Sequence, residues 1–172
     1  MTKQFLRKAE NGTIVVGVSD LAVSDDADAT LITYALGSCI GVTVFDPTTR
    51  IGGMLHFMLP SSKGSPDKAR ANPAMFADTG VPLLFKACYE LGAKKSSLVV
   101  CAAGGAEILA DDGHFKIGTR NRTILRKLFW KNSVLLAADD TGGTGSRTLS
   151  LHLDTGRIEI RSKGNGRTLW PE

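Results

Sequence analysis

The chain lacks the motifs that mark the commonest metal and nucleotide chemistries. No C-x-x-C, H-x-x-H or H-E-x-x-H spacing occurs, which argues against zinc and predicts no metal and no cofactor. Two glycine clusters are present, Gly104-Gly105 and Asp140-Thr141-Gly142-Gly143-Thr144-Gly145. Neither has the G-x-G-x-x-G pattern opening a helix or the G-x-x-x-x-G-K-[ST] of a phosphate loop, so both read as turns. No apolar run approaches the roughly 18 residues of a membrane span. The basic start MTKQFLRKAENG has no apolar stretch behind it and does not read as a secretory signal. No internal repeat or low-complexity segment is visible. Cysteines number only three, without paired spacing, which predicts free thiols in a reducing, cytoplasmic setting.

The composition that is present describes an ordinary globular protein. Hydrophobic residues make up 42% and charged residues 22%, which argues against disorder. The net charge of +4 is a mild excess that favours an acidic partner without requiring nucleic acid. A length of 172 residues fits one domain. Its expected bounds are residues 12–163, with a mobile arm at 1–11 and a fraying tail at 164–172.

Strand-forming residues dominate the first third. Thr13 to Val18, Leu21 to Ser24, Leu31 to Leu36, Ile40 to Phe45 and Ile51 to Leu59 are rich in Val, Ile, Thr, Tyr and Phe and are split by turn residues. Asp46 to Arg50 reads as a hairpin loop. Ser61 to Asn72 reads as an exposed loop. Apolar positions Val81, Leu84, Phe85, Cys88 and Leu91 recur at helical spacing up to Gly92, with Pro82 either kinking the helix or marking its start. Ser96 to Ala103 is a short apolar strand buried on both faces. Thr119 to Lys131 forms a second amphipathic helix, its five basic residues read as a solvated face without interleaved exposed aromatics. Strands return at Ser133 to Ala138, Arg147 to Leu153 and Arg157 to Arg161.

A cysteine nucleophile needs a base and a group that orients the base. The segment Leu31 to Pro60 holds Thr33, Cys39 and His56 and can supply all three. Cys39 follows a Gly37-Ser38 turn, whose backbone N–H groups can converge on one point as an oxyanion site requires. Cys88 lies on an apolar helix face and Cys101 inside an apolar strand, so both read as structural. His114 and His152 have no cysteine nearby in sequence and also read as structural.

These residues bring a family into view. T-Y-A-L-G-S-C-I-G-V at Thr33 to Val42, G-G-M-L-H-F-M-L-P around His56 and A-D-T at Ala77 to Thr79 closely resemble the chemoreceptor glutamine deamidases, CheD. So do A-G-G-A at Ala103 to Ala106, I-G-T-R-N at Ile117 to Asn121 and L-A-A-D-D-T-G-G at Leu136 to Gly143. The resemblance implies an α/β (α+β) fold of packed mixed sheets covered by two main helices, a layered sandwich similar to the catalytic domain of cytotoxic necrotizing factor. It implies Cys39 as nucleophile, His56 as general base and acid, and Thr33 as the group orienting the imidazole. The implied reaction converts receptor glutamine to glutamate through a thioester, releasing ammonia. The implied partners are the cytoplasmic helices of methyl-accepting chemotaxis receptors and, as in some members of the family, the phosphatase CheC. Pro82 and Tyr34-Ala35 depart from the family pattern without touching the three residues. Two other classes remain to be weighed: a non-catalytic adaptor binding CheC or receptors, and a basic nucleic-acid module.

Overall fold

The first strand-rich third of the chain is divided between two layers, and that division positions the site. The computed structural model describes residues 2–107 and 116–171. Among the described residues the strands are β1 (Thr13–Val15), β2 (Asp20–Ser24), β3 (Thr30–Leu36), β4 (Ile40–Asp46), β5 (Ile51–Phe57), β6 (Val99–Gly104), β7 (Ala138–Thr141), β8 (Arg147–His152), β9 (Ile158–Ser162) and β10 (Asn165–Trp170). The helices are α1 (Pro66–Ala71), α2 (Ala77–Leu91) and α3 (Ile117–Lys131). One mixed sheet runs β2-β5-β4-β6-β7 and the other β1-β3-β8-β9-β10. This is the α+β class that the sequence predicts.

Two cores follow from the two-residue period of β4 and β5. Ile40, Val42, Val44, Leu55 and Phe57 join Leu84, Phe85, Leu125 and Phe129 between the first sheet and its helices. Phe45 and Met54 join Leu31, Leu36, Leu149, Leu151 and Ile158 between the two sheets. Each fully buried Leu, Ile or Phe contributes about 1.5–3 kcal/mol. Covered on both faces, β4 and β5 are buried along their whole length, so a polar side chain there is cut off from water and costs free energy unless the protein supplies a partner. His56 is such a residue.

Several boundaries differ from the sequence reading. Residues 2–10 do not hang free: Arg7 N–H donates to the Val23 carbonyl and Val23 N–H to the Phe5 carbonyl, both at 2.9 Å. Phe5 packs on the helix-side core. Arg7 also grips Asp20 with two hydrogen bonds of 2.7 and 2.8 Å. The tail pairs with β9 as β10, where Leu169 is buried while residues 165–168 stay exposed, so backbone pairing holds a segment of polar composition. Residues 133–137 are not a strand. The chain leaves α3 through a left-handed Ser133, leaves Leu135 exposed, and reaches the β6 edge at Ala137. The loop 61–72 contains α1, which buries nothing. Helix α2 starts at Ala77, runs through Pro82 and ends on Gly92 at φ 115.

A candidate active site between the two sheets

Thr33 and His56 come from different sheets and meet in the layer between them. His56 lies on β5, opposite Asp20 of β2 and Gly41 of β4, on the same face as Met54. Thr33 lies on β3, on the same face as Leu31. Both are 0% exposed. The Thr33 hydroxyl stands 2.7 Å from His56 Nδ1 and donates its one proton to the Val16 carbonyl at 2.7 Å. A hydroxyl has a single proton to give, so toward the ring it can only accept. Nδ1 therefore carries the hydrogen and Nε2 is left as the free base. Nε2 is buried and has no hydrogen-bond partner among the described residues.

Cys39 precedes β4 by one residue and shares its inter-sheet face with Gly41. Because Gly41 is opposite His56, Cys39 sits on the diagonal from the imidazole, a relation that separates residues by roughly 7–8 Å with less between Cβ atoms. The free thiol makes no hydrogen bond to Nε2 in this state.

The charges of this pair are set by burial. Loss of solvent pushes the His56 pKa down to about 4, opposed in part by Asp20. Desolvation also raises the Cys39 thiol above its ordinary value, opposed by a backbone hydrogen bond. The resting pair is therefore neutral thiol and neutral imidazole, rather than thiolate and imidazolium. The other two cysteines are further from reactivity. Cys88 and Cys101 are 0% exposed, and burial pushes them up to about 12 and about 11.

The turn that presents Cys39 is built differently from the sequence expectation. An extra residue enters β3 between Thr33 and Leu36, making a bulge. The left-handed position in this turn falls on Ala35, at φ 56, a conformation costing a non-glycine residue about 1–2 kcal/mol. Gly37 N–H is already spent on the Ala35 carbonyl at 2.9 Å, so it is not an oxyanion donor. The N–H groups of Ser38 and Cys39 have no backbone acceptor among the described residues, and that of Cys39 faces its own thiol. Behind the turn, Gly104 adopts φ 106, and a Cβ there would lie 2.3 Å from the Cys39 carbonyl. Only glycine lets β6 approach this closely.

One residue of the site escaped the sequence reading. Asn121 of α3 is 0% exposed, and its Nδ2 donates to the Ser38 carbonyl at 2.9 Å and the Met58 carbonyl at 2.8 Å. The signal was a polar residue in phase with Leu125 and Phe129 on the apolar side of the helix.

The remaining candidates lie elsewhere. His152 bonds Thr30 at 3.1 Å and Glu159 at 2.9 Å on the outer sheet, and His114 lies outside the described residues. On α3, Arg122 stands 3.8 Å from Glu107 and Arg126 3.4 Å from Asp139. Trp130 of the same helix is 84% exposed, an aromatic that the sequence reading did not place on that surface. Among the described residues no group of three or more His, Cys, Asp and Glu could hold a metal ion. Nor, among the described residues, is any helix long and apolar enough to cross a membrane. A cavity of about 320 Å³ between α2 and α3, lined by Val81, Phe85 and Leu128, includes none of the three residues Thr33, Cys39 and His56.

Comparison with known proteins bears on the family rather than on the individual residues. Residues 58–162 match the family described as CheD chemotactic sensory transduction. The chain is 52% identical over 153 residues to a probable chemoreceptor glutamine deamidase CheD 1 of Syntrophus aciditrophicus, covering 89% of this chain and 96% of the relative. It is 46% identical over 158 residues to a probable chemoreceptor glutamine deamidase CheD of Solibacter usitatus, covering 92% and 94%. A protein of the same description from Pyrococcus horikoshii is 37% identical over 158 residues, covering 91% and 96%. The family match begins after His56, but alignments of this length leave too few residues unmatched to omit the segment 33–56.

Proposed function

The chain belongs to the CheD family, and on that premise we propose that it is a protein-glutamine deamidase acting on chemoreceptors, with Cys39, His56 and Thr33 as its reacting and orienting groups. The observation that carries the assignment of residues is the 2.7 Å contact between Thr33 Oγ1 and His56 Nδ1, which leaves Nε2 free on the face shared with Cys39.

In this reading His56 Nε2 takes the thiol proton as Cys39 attacks the glutamine carboxamide, and the C–S bond forms as the carbonyl π-bond opens to an oxyanion. The N–H groups of Ser38 and Cys39 receive that oxyanion. The imidazolium returns its proton to the departing nitrogen, ammonia leaves, and a thioester remains. Water, deprotonated by the same Nε2, opens the thioester to glutamate and restores the thiol. Thr33 accepts from Nδ1–H throughout, holding the tautomer that makes Nε2 the base. As a neutral group it stabilises the transient imidazolium less than a carboxylate would. Proton transfer of this kind contributes about 10²–10⁴ in rate.

The substrate class is glutamine side chains on the cytoplasmic helices of chemoreceptors. Tyr34 is 51% exposed and Met58 37%. Met58 lies two residues beyond His56 and offers apolar contact to an amphipathic helix, whereas Tyr34 stands with Ile32 and Ser150 on the other side of β3. A CheC phosphatase would compete for this same face. Ammonia release from a purified chemoreceptor cytoplasmic fragment tests the proposal. The wild-type protein releases ammonia in step with glutamate formation, whereas a non-catalytic adaptor binds the fragment and releases none.

A further inference from the structure

Three successive carbonyls around the nucleophile are held from one side. The Gly37 carbonyl accepts from Ala106 N–H and the Cys39 carbonyl from Gly105 N–H, both at 2.8 Å. The Ser38 carbonyl between them accepts from Asn121 Nδ2 at 2.9 Å. In a trans peptide the C=O and the following N–H point in opposite directions. Fixing the Gly37 and Ser38 carbonyls therefore turns the N–H groups of Ser38 and Cys39 away from residues 105–106 and Asn121. Helix α3 covers the Val42 face of β4, while Cys39 lies on the opposite face with the inter-sheet residues. The Cys39 N–H, opposite the carbonyl that Asn121 holds, is thus directed away from the helix layer, and the Ser38 N–H away from the end of β6; neither has a backbone acceptor among the described residues.

Asn121 is an expensive way to achieve this if it only joins α3 to the sheet. Both hydrogens of Nδ2 are committed, to the Ser38 and Met58 carbonyls, so a flipped amide would set oxygen against two oxygens and the assignment is fixed. Its Oδ1 is then buried without a partner among the described residues, a defect of about 1–3 kcal/mol. The helix face around it is otherwise Gly118, Leu125 and Phe129, where an apolar side chain would carry no such penalty.

Resting on the deamidase reading, we propose that Asn121 is the positioning residue of the oxyanion donors: by holding the Ser38 carbonyl it aims the Cys39 N–H at the carboxamide oxygen that Cys39 attacks. Its second bond, to the carbonyl of Met58, ties that aim to the end of the strand that carries His56. Asn121 itself touches neither substrate nor thiol.

The test compares two reactions of the same sulfur in the intact protein. Deamidation of a chemoreceptor cytoplasmic fragment passes through an oxyanion. Alkylation of Cys39 by iodoacetamide is a displacement at carbon that forms none, yet it senses the same thiol and its access. Asn121→Ala is expected to lower kcat by about 10²-fold, as loss of an oxyanion donor does, with KM and the pH profile of Cys39 alkylation within twofold of wild type. Asn121→Ser keeps one donor and falls between the two; it carries the test if thermal unfolding finds the alanine variant unfolded at the assay temperature. Parallel loss of alkylation and deamidation would mean that Asn121 merely supports the fold, and unchanged kcat in the variants would mean that it aims nothing. Either result overturns the proposal. A wild-type protein that releases no ammonia overturns the deamidase reading instead, a failure visible before any Asn121 variant is made.

Discussion

Replacing Thr33 with valine removes one hydroxyl and nearly nothing else, because the two side chains have almost the same shape. The hydroxyl makes two buried bonds of 2.7 Å, accepting from His56 Nδ1 and donating to the Val16 carbonyl. In the transition state the bond to Nδ1 becomes a bond to a developing cation, worth about 1.5–3 kcal/mol. At about 1.4 kcal/mol per decade, its loss lowers kcat by about 10- to 150-fold. Two buried groups are left unpaired, each costing about 1–3 kcal/mol. In a chain of this length each kcal/mol shifts Tm by about 2–4 °C, so Tm falls by about 4–24 °C. Ammonia release at saturating and limiting substrate gives kcat and KM, and calorimetry gives Tm. A kcat within twofold of wild type would falsify the claim that Thr33 fixes the imidazole. A loss as deep as that of a His56 deletion would also contradict the reasoning, because a neutral acceptor cannot account for the whole effect of the base.

The other expectations follow from burial and packing. Since burial raises the Cys39 thiol above its ordinary value, iodoacetamide should modify Cys39 slowly at neutral pH and progressively faster on the alkaline side. A rate already on its plateau at neutral pH would mean a preformed thiolate. His56 is held near pKa 4 against 6.5 in an unfolded chain, so between those values the unfolded chain binds more protons and stability rises with pH. The contribution of neutral His56 is complete above about pH 6.5, and about 2–3 kcal/mol of it is lost as pH falls toward 4. Denaturant titrations of wild type and His56→Gln across that window measure it, and identical pH slopes would refute it. Gly53→Ala adds a Cβ lying 2.8 Å from Leu84, 2.9 Å from Cys88 and 2.9 Å from Val23, and overpacking of this kind costs about 1–3 kcal/mol. A Tm unchanged or raised would show that α2 can retreat from β5.

Much of the fold was legible because the hydrophobic periods are clean. The alternation through residues 40–45 predicts which side chains of β4 share a face, and the two cores separate them that way. The spacing of Leu84, Phe85 and Cys88 likewise finds α2 and its end at Gly92. The docked start of the chain was not legible, because it is held by backbone pairing with Val23 and by the Arg7–Asp20 bridge, neither of which leaves an apolar pattern. Residues 133–137 failed for the opposite reason: Val134, Leu135 and Leu136 have a strand composition, but pairing with β6 begins only at Ala137, and Val134 and Leu136 pack on the helix-side core instead.

The meeting of Thr33 with His56 is a contact between sheets, and a single sequence carries no direct sign of which strands face each other. Family resemblance supplied that pairing in advance of any physical reason. The structure adds two things that residue types alone do not contain: the tautomer, dictated by the Val16 carbonyl, and the neutral resting pair, dictated by burial. Gly37 shows the limit of reading turns from glycine, since the left-handed residue here is Ala35.

The most direct test of the central claim is the peptide mass of a chemoreceptor cytoplasmic fragment after incubation with wild-type protein or with Cys39→Ala. Conversion of specific glutamines to glutamate by the wild type, with none above background by the variant, is the expected result. Continued conversion by Cys39→Ala would contradict the assignment of the nucleophile.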